Sequence, residues 1–153
     1  MLVQINYLFF QTASLHRNNK QSILKVGGGK MANENRKDFN AMLHDNKDMP
    51  KFQIITDKKS IEKYGGNKMY FAPPIDYDKV MKKVPYGKII TVGEIRKYFA
   101  ELSGADFTEP ITAGIFVSLV AWASYQRLED ETPYWRTLKA NGELTAKYPN
   151  GIK

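Results

Sequence analysis

Val84-Pro85-Tyr86-Gly87-Lys88-Ile89-Ile90-Thr91-Val92-Gly93-Glu94-Ile95 is the stretch whose reading decides the fold. Pro85-Tyr86-Gly87 stops whatever helix precedes it, and Lys88-Ile89-Ile90 is a short extended piece. Thr91-Val92-Gly93-Glu94 then fits a capping box, in which the hydroxyl takes an orphan backbone N–H and the carboxylate reaches back three residues. A helix starts there. Ile95, Tyr98, Phe99 and Leu102 follow at i, i+3, i+4 and i+7, an apolar stripe about 100° wide, and Gly104 is placed to close the helix in the left-handed conformation.

Downstream, Ala105-Asp106-Phe107 reads as a turn, and Thr108 or Glu109 caps a second helix with Pro110 in its first turn. That helix runs through Ile111, Ile115, Phe116, Leu119, Val120 and Trp122 to about Ser124. Two helices joined by a short turn make a helix-turn-helix candidate, a pattern shared with many helical hairpins that never touch DNA. Upstream, Asp76 is a good N-cap for a helix whose one face carries Tyr77, Val80, Met81 and Val84. Before it, Phe52 to Thr56 suits one short strand, Ser60 to Tyr64 a helical turn, Gly65-Gly66-Asn67 a turn, and Tyr70 to Pro74 an extended entry. Residues 31–75 thus read as a lead-in with one short strand, its first part Asn-, Asp- and Lys-rich and weakly structured.

A second informative stretch is Pro133-Tyr134-Trp135-Arg136-Thr137-Leu138, followed by Ala140-Asn141-Gly142-Glu143-Leu144. Together with Val84 to Ile95 it resembles the C-terminal domain of the methylated-DNA-protein-cysteine methyltransferases, over roughly residues 76–151. The resemblance implies a mostly α fold with short strands (α+β), a winged helix-turn-helix of the alkyltransferase C-terminal type. Such a domain inserts its second helix into the minor groove of double-stranded DNA and flips an alkylated guanine toward a cysteine. Between Pro133 and Arg136, where the family carries a cysteine and then a histidine, this chain has Tyr134 and Trp135. The pattern is similar to that of the cysteine-less alkyltransferase-like proteins, which dock on the lesion, omit the transfer and mark the damage for DNA repair proteins.

The missing sulfur has a chemical consequence independent of any relative. The chain contains no cysteine, and suicidal alkyl transfer near neutral pH depends on a thiolate nucleophile. A tyrosine with a pKa near ~10 is protonated at pH 7, and no base stands near Tyr134 in the sequence. The expectation is therefore no catalytic residue and no enzyme, with new chemistry at Tyr134 the least favoured alternative. With His16 and His44 as the only histidines, no metal cluster of His and Cys is available and no cofactor is implied.

The resemblance carries a candidate DNA and base-pocket set: Thr91, Val92, Thr112, Ala113, Pro133, Tyr134, Trp135, Arg136 and Tyr148. Tyr134 and Trp135 either stack on a flipped base or fill and close its pocket. Arg136 reads first as an anchor for carbonyls or a carboxylate and second as a phosphate contact, and Pro133 shapes a loop under either function. Departures are equally specific. Val92 stands where the family has a phosphate-pushing tyrosine, and Thr112 to Leu119 contains no arginine to fill the gap left by a flipped base. The chain ends at Lys153, about where the family's final helix begins.

Charge locates the rest. Of the formal net charge of +7, the first 30 residues carry +4, from four basic residues and no acid. The remainder holds 19 basic against 16 acidic residues, so the globular part is only mildly basic. Residues 1–30 read as a disordered basic arm or as upstream sequence before a true start at Met31. Tyr7-Leu8-Phe9-Phe10 is too short to span a membrane and lacks the flanks of a signal peptide, so a cytoplasmic, membrane-free protein is expected. Two functions follow: a non-catalytic sensor of O6-alkylguanine, or a winged-helix interaction module that has lost lesion recognition.

Overall fold

Seven of the eleven residues in Phe116–Gln126 are buried, which makes the last long helix the axis of the core. The computed structural model describes residues 11–12 and 37–150. Among them five α-helices occur: α1 (Phe39–His44), α2 (Lys58–Tyr64), α3 (Pro74–Lys82), α4 (Val92–Ser103) and α5 (Pro110–Gln126). Strands are short: β1 (Gln11–Thr12), β2 (Lys51–Ile54), β3 (Lys68–Phe71), β4 (Lys88–Thr91), β5 (Phe107–Thr108) and β6 (Thr137–Leu138). A 3-10 turn, Tyr134–Arg136, precedes β6. The architecture is mixed α+β.

Two three-stranded sheets result. In the first, β4 is central, with β1 antiparallel on one side and β6 parallel on the other. In the second, β3 is flanked by antiparallel β2 and parallel β5. Apart from Gln11 and Thr12, which pair with Ile89 and Lys88, the basic arm and the Met31 question lie outside the described residues. At those two positions the chain is an edge strand, not an unstructured arm.

The capping box at Thr91 forms as the sequence dictates. The Glu94 N–H donates to Thr91 Oγ1 at 3.2 Å and the Thr91 N–H donates to Glu94 Oε2 at 2.7 Å. Gly104 closes α4 in the left-handed region at φ 73°. Within the predicted stripe Ile95 and Phe99 are buried and Tyr98 half-buried, whereas Leu102 is exposed. Periodicity finds the face of a helix, but among the described residues no element encloses Leu102 in its last turn.

Three further expectations change. Helix α3 begins three residues early, at Pro74 with Pro73 as cap, because a proline at the first helical position gives up an N–H that would have no partner. Asp76 sits in the first turn, where its charge complements the helix dipole. The predicted turn at Phe107 is instead β5, which pairs with Met69 and Tyr70. Residues 37–75, read as a lead-in with one strand, hold two strands and two short helices, and Phe39 and Leu43 of α1 belong to the main core.

That core gathers Tyr77, Val80 and Met81 from α3, Ile95 and Phe99 from α4, and Phe116, Val117 and Val120 from α5. Tyr77 sits at its centre, edge-on to Phe99 at 4.9 Å and to Phe116 at 5.9 Å. Ala113, Ala121 and Ala123 on α5 are fully buried, and their small size lets neighbouring helices come close. Among the described residues, no helix is long and apolar enough to cross a membrane.

Candidate nucleic-acid interface

Parallel pairing of β4 with β6 brings the two informative stretches together. Ile90 lies opposite Thr137 and Thr91 opposite Leu138, so the cap of α4 adjoins the segment that begins at Pro133. Arg136 ties the same two stretches a second time, its Nη1 donating to the Val84 carbonyl at 2.9 Å. Its guanidinium also lies 5.6 Å from the Tyr86 ring and 5.9 Å from the Trp135 ring. The anchoring reading of Arg136 accounts for these contacts.

Tyr134 and Trp135 are both buried, at 2% and 4% exposure. Their rings meet edge-to-face at 5.2 Å, and Tyr134 meets Tyr148 in the same way at 5.3 Å. Tyr148 is itself buried, and its hydroxyl donates to the Thr137 carbonyl at 2.7 Å. The three rings thus fill the space behind the turn. Pro133, half-buried, caps the 3-10 turn and sets its entry. Burial pushes the Tyr134 phenol up to about 12, with the negative charge of Glu131 and the neighbouring Tyr125 adding to it. Burial likewise raises Tyr148. A phenol held in its neutral form is a hydrogen-bond donor and an edge for stacking; it is not a nucleophile at physiological pH.

Glu109, not a basic residue, occupies the start of α5. Its carboxylate accepts from the N–H groups of Ile111 and Thr112 and from the Thr112 hydroxyl. Thr112 is therefore engaged in capping, and Ala113 is fully buried and turned away from solvent. The side of the first turns open to solvent is formed by Ile111, Gly114 and Ile115, with Ile111 72% and Ile115 54% exposed. The helix is largely enclosed from Phe116 to Ser124 and open here, where among the described residues no element covers its first turns. Val92 is half-buried and packs on the core. Thr91 spends its hydroxyl on the capping box.

Asn141-Gly142 forms a tight turn. The Gly142 N–H donates to the Lys139 carbonyl at 2.9 Å and the Lys139 N–H to the Glu143 carbonyl at 2.7 Å. Only the incoming flank, β6, is a strand; the outgoing residues are irregular.

Sequence reasoning missed the network that holds this loop from behind. Asp78 of α3, 2% exposed, accepts from the Thr132 hydroxyl and lies 3.5 Å from Arg127 and 3.4 Å from Lys82. Arg127 Nη2 donates to Thr132 Oγ1 at 2.8 Å, and its Nη1 donates to Asn40 Oδ1. The Ser124 hydroxyl accepts from the Thr132 N–H and donates to the Thr132 carbonyl. Thr132 is thereby fixed to α3 and α5 one residue before Pro133. The spacing of Asp78 to Val80 and Met81 on a core-facing helix is the one signal that would have singled it out. Among the described residues, no three histidine or carboxylate side chains converge as metal ligands. No protein-family model, no curated protein and no solved structure matches this chain.

Proposed function

We propose that the chain is a non-catalytic, alkyltransferase-like DNA-binding protein that recognises O6-alkylguanine in double-stranded DNA and transfers nothing. One observation carries the reading: β4 and β6 juxtapose the capped helix of a helix-turn-helix with the Pro133–Arg136 turn, where an aromatic pair stands in place of sulfur. The resemblance of those two stretches to the methylated-DNA-protein-cysteine methyltransferases supplies the winged-helix type, the lesion class and the partnership with repair proteins. The neutral phenol of Tyr134 and the absence of cysteine support recognition without chemistry. On this reading α5 enters the minor groove by Ile111 and Ile115, and apolar side chains take the wedging part that an arginine plays elsewhere.

A second reading is favoured by that same face of α5. Ile111 and Ile115 are uncharged and exposed, and the Glu109 carboxylate sits at the helix start where a phosphate would otherwise lie. A winged-helix interaction module without lesion preference fits this surface.

Fluorescence anisotropy on matched duplexes with and without O6-methylguanine, at two salt concentrations, separates the two. The sensor binds the lesion duplex more tightly and loses affinity steeply as salt rises. Equal affinity for both duplexes sinks lesion recognition, and no binding to either favours the interaction module.

A further inference from the structure

The positive charge of the described chain is concentrated in one small unit. Residues 51–68, which form β2, α2 and the start of β3, hold five lysines against two acids. The rest of the described residues hold twelve basic against thirteen acidic side chains. Lys58, Lys59 and Lys63 are exposed, and among the described residues none of Lys58, Lys59, Lys63 and Lys68 forms an ion pair.

The same unit presents aromatic surface. Register places Phe52 opposite Tyr70 and Ile54 opposite Lys68, so these four side chains share one face of the β2–β3 ladder. Phe52 is 48% exposed and Ile54 59% exposed, on a strand at the edge of its sheet. The Lys68 ammonium stands 4.4 Å from the Phe52 ring centroid, and the Tyr70 ring lies 5.3 Å from it. Helix α2 contributes Tyr64 to the sheet's other face, where it stacks on Phe107 at 4.4 Å, so it does not cover Phe52.

We infer that this face of β2 and β3 binds single-stranded nucleic acid, with Phe52 stacking on an unpaired base and Lys68 meeting the phosphodiester beside it. A half-exposed ring with an ammonium over it that forms no ion pair supplies both parts of such binding, the ring's remaining open surface for a base and a cation for its backbone. Three further unpaired lysines on the same short unit add the long-range field that draws a polyanion. A duplex keeps its bases stacked inside and offers nothing to an exposed phenyl ring, which is why the occupant is a single strand. The site is remote in sequence from the helix-turn-helix and does not depend on the function proposed above.

The test uses the full chain and a fluorescently labelled oligothymidylate of about twelve nucleotides, within the range one such site spans. Wild type binds saturably, and more weakly as salt rises. Phe52→Leu, which keeps bulk and removes the π-face, weakens binding about tenfold, whereas Phe52→Trp restores it. A Lys63→Ala/Lys68→Ala variant binds more weakly and with a shallower salt dependence. Circular dichroism verifies that each variant is folded. Oligothymidylate binding by Phe52→Leu at wild-type strength overturns the inference and leaves the lysines as ordinary protection of an edge strand. So does a wild type that fails to bind, or inorganic polyphosphate that binds as tightly as the oligonucleotide and loses as much to Phe52→Leu. Loss of lesion preference on duplexes with oligothymidylate binding intact counts against the sensor and supports this site as an independent one.

Discussion

A carboxylate as enclosed as Asp78 is tolerated because Lys82, Arg127 and the Thr132 hydroxyl all meet it. Removing it leaves the guanidinium of Arg127 partly enclosed without its anion. Asp78→Ala is accordingly expected to cost about 3 kcal/mol, read as a lower urea midpoint. Asp78→Asn keeps an acceptor for Thr132 and costs less; equal losses for the two variants would assign the effect to packing and not to hydrogen bonding. Tyr134→Ala removes a ring that touches Trp135 and Tyr148. It lowers stability by about 3 kcal/mol, and it changes affinity for an O6-methylguanine duplex if the emptied space is the base pocket. Unchanged lesion affinity in a folded Tyr134→Ala protein places the ring outside that pocket.

Helix α4 depends on its first turn. Thr91→Ala removes the hydroxyl that receives the Glu94 N–H and is expected to cost about 1 kcal/mol; a loss near zero by chemical denaturation would show the cap to be dispensable. On α5, Ile115→Arg places a cation on the exposed face. If this face meets DNA, duplex affinity rises and the slope of log K against log salt steepens by about 0.9. An interaction module gives no such change. The elements whose signals are local were legible in the sequence: the box at Thr91, the left-handed Gly104 and the proline at the head of α5 each act within a few residues. Strand β5 was not, since Phe107 and Thr108 become a strand only by pairing with Met69 and Tyr70 far back in the chain. Nor was Asp78, whose partner Thr132 is 54 residues away. The exposures of Leu102, Ile111 and Ile115 were missed for a related reason, because an apolar stripe reveals an inward face only where another element arrives to meet it.

At the scale of the whole molecule, three buried tyrosines among the described residues share one electrostatic signature. Burial raises Tyr77, Tyr134 and Tyr148 above the ordinary 10.0, and Tyr134 reaches about 12. Their folded values exceed their unfolded ones, so the folded state holds protons that the unfolded chain releases. The stability this confers is complete below pH 10 and drains away as pH climbs toward 12 and beyond. Spectrophotometric titration should show these phenols ionising late and together with the loss of tertiary circular dichroism. Ionisation at the ordinary value in a chain that stays folded would contradict their enclosure. Gly66 adds a constraint between subdivisions of the chain: a Cβ there would stand 2.2 Å from the Asp106 side chain, which accepts the Lys68 N–H at 2.9 Å.

Parallel β4 and β6 meet only after the polypeptide has travelled from Ile90 to Thr137, around both α4 and α5. Closing so long an excursion carries an entropic cost that nearby contacts cannot offset until the helices have docked. The aromatic turn is thus expected to take its seat only once α4 and α5 have packed, so its order is borrowed from the two helices it follows.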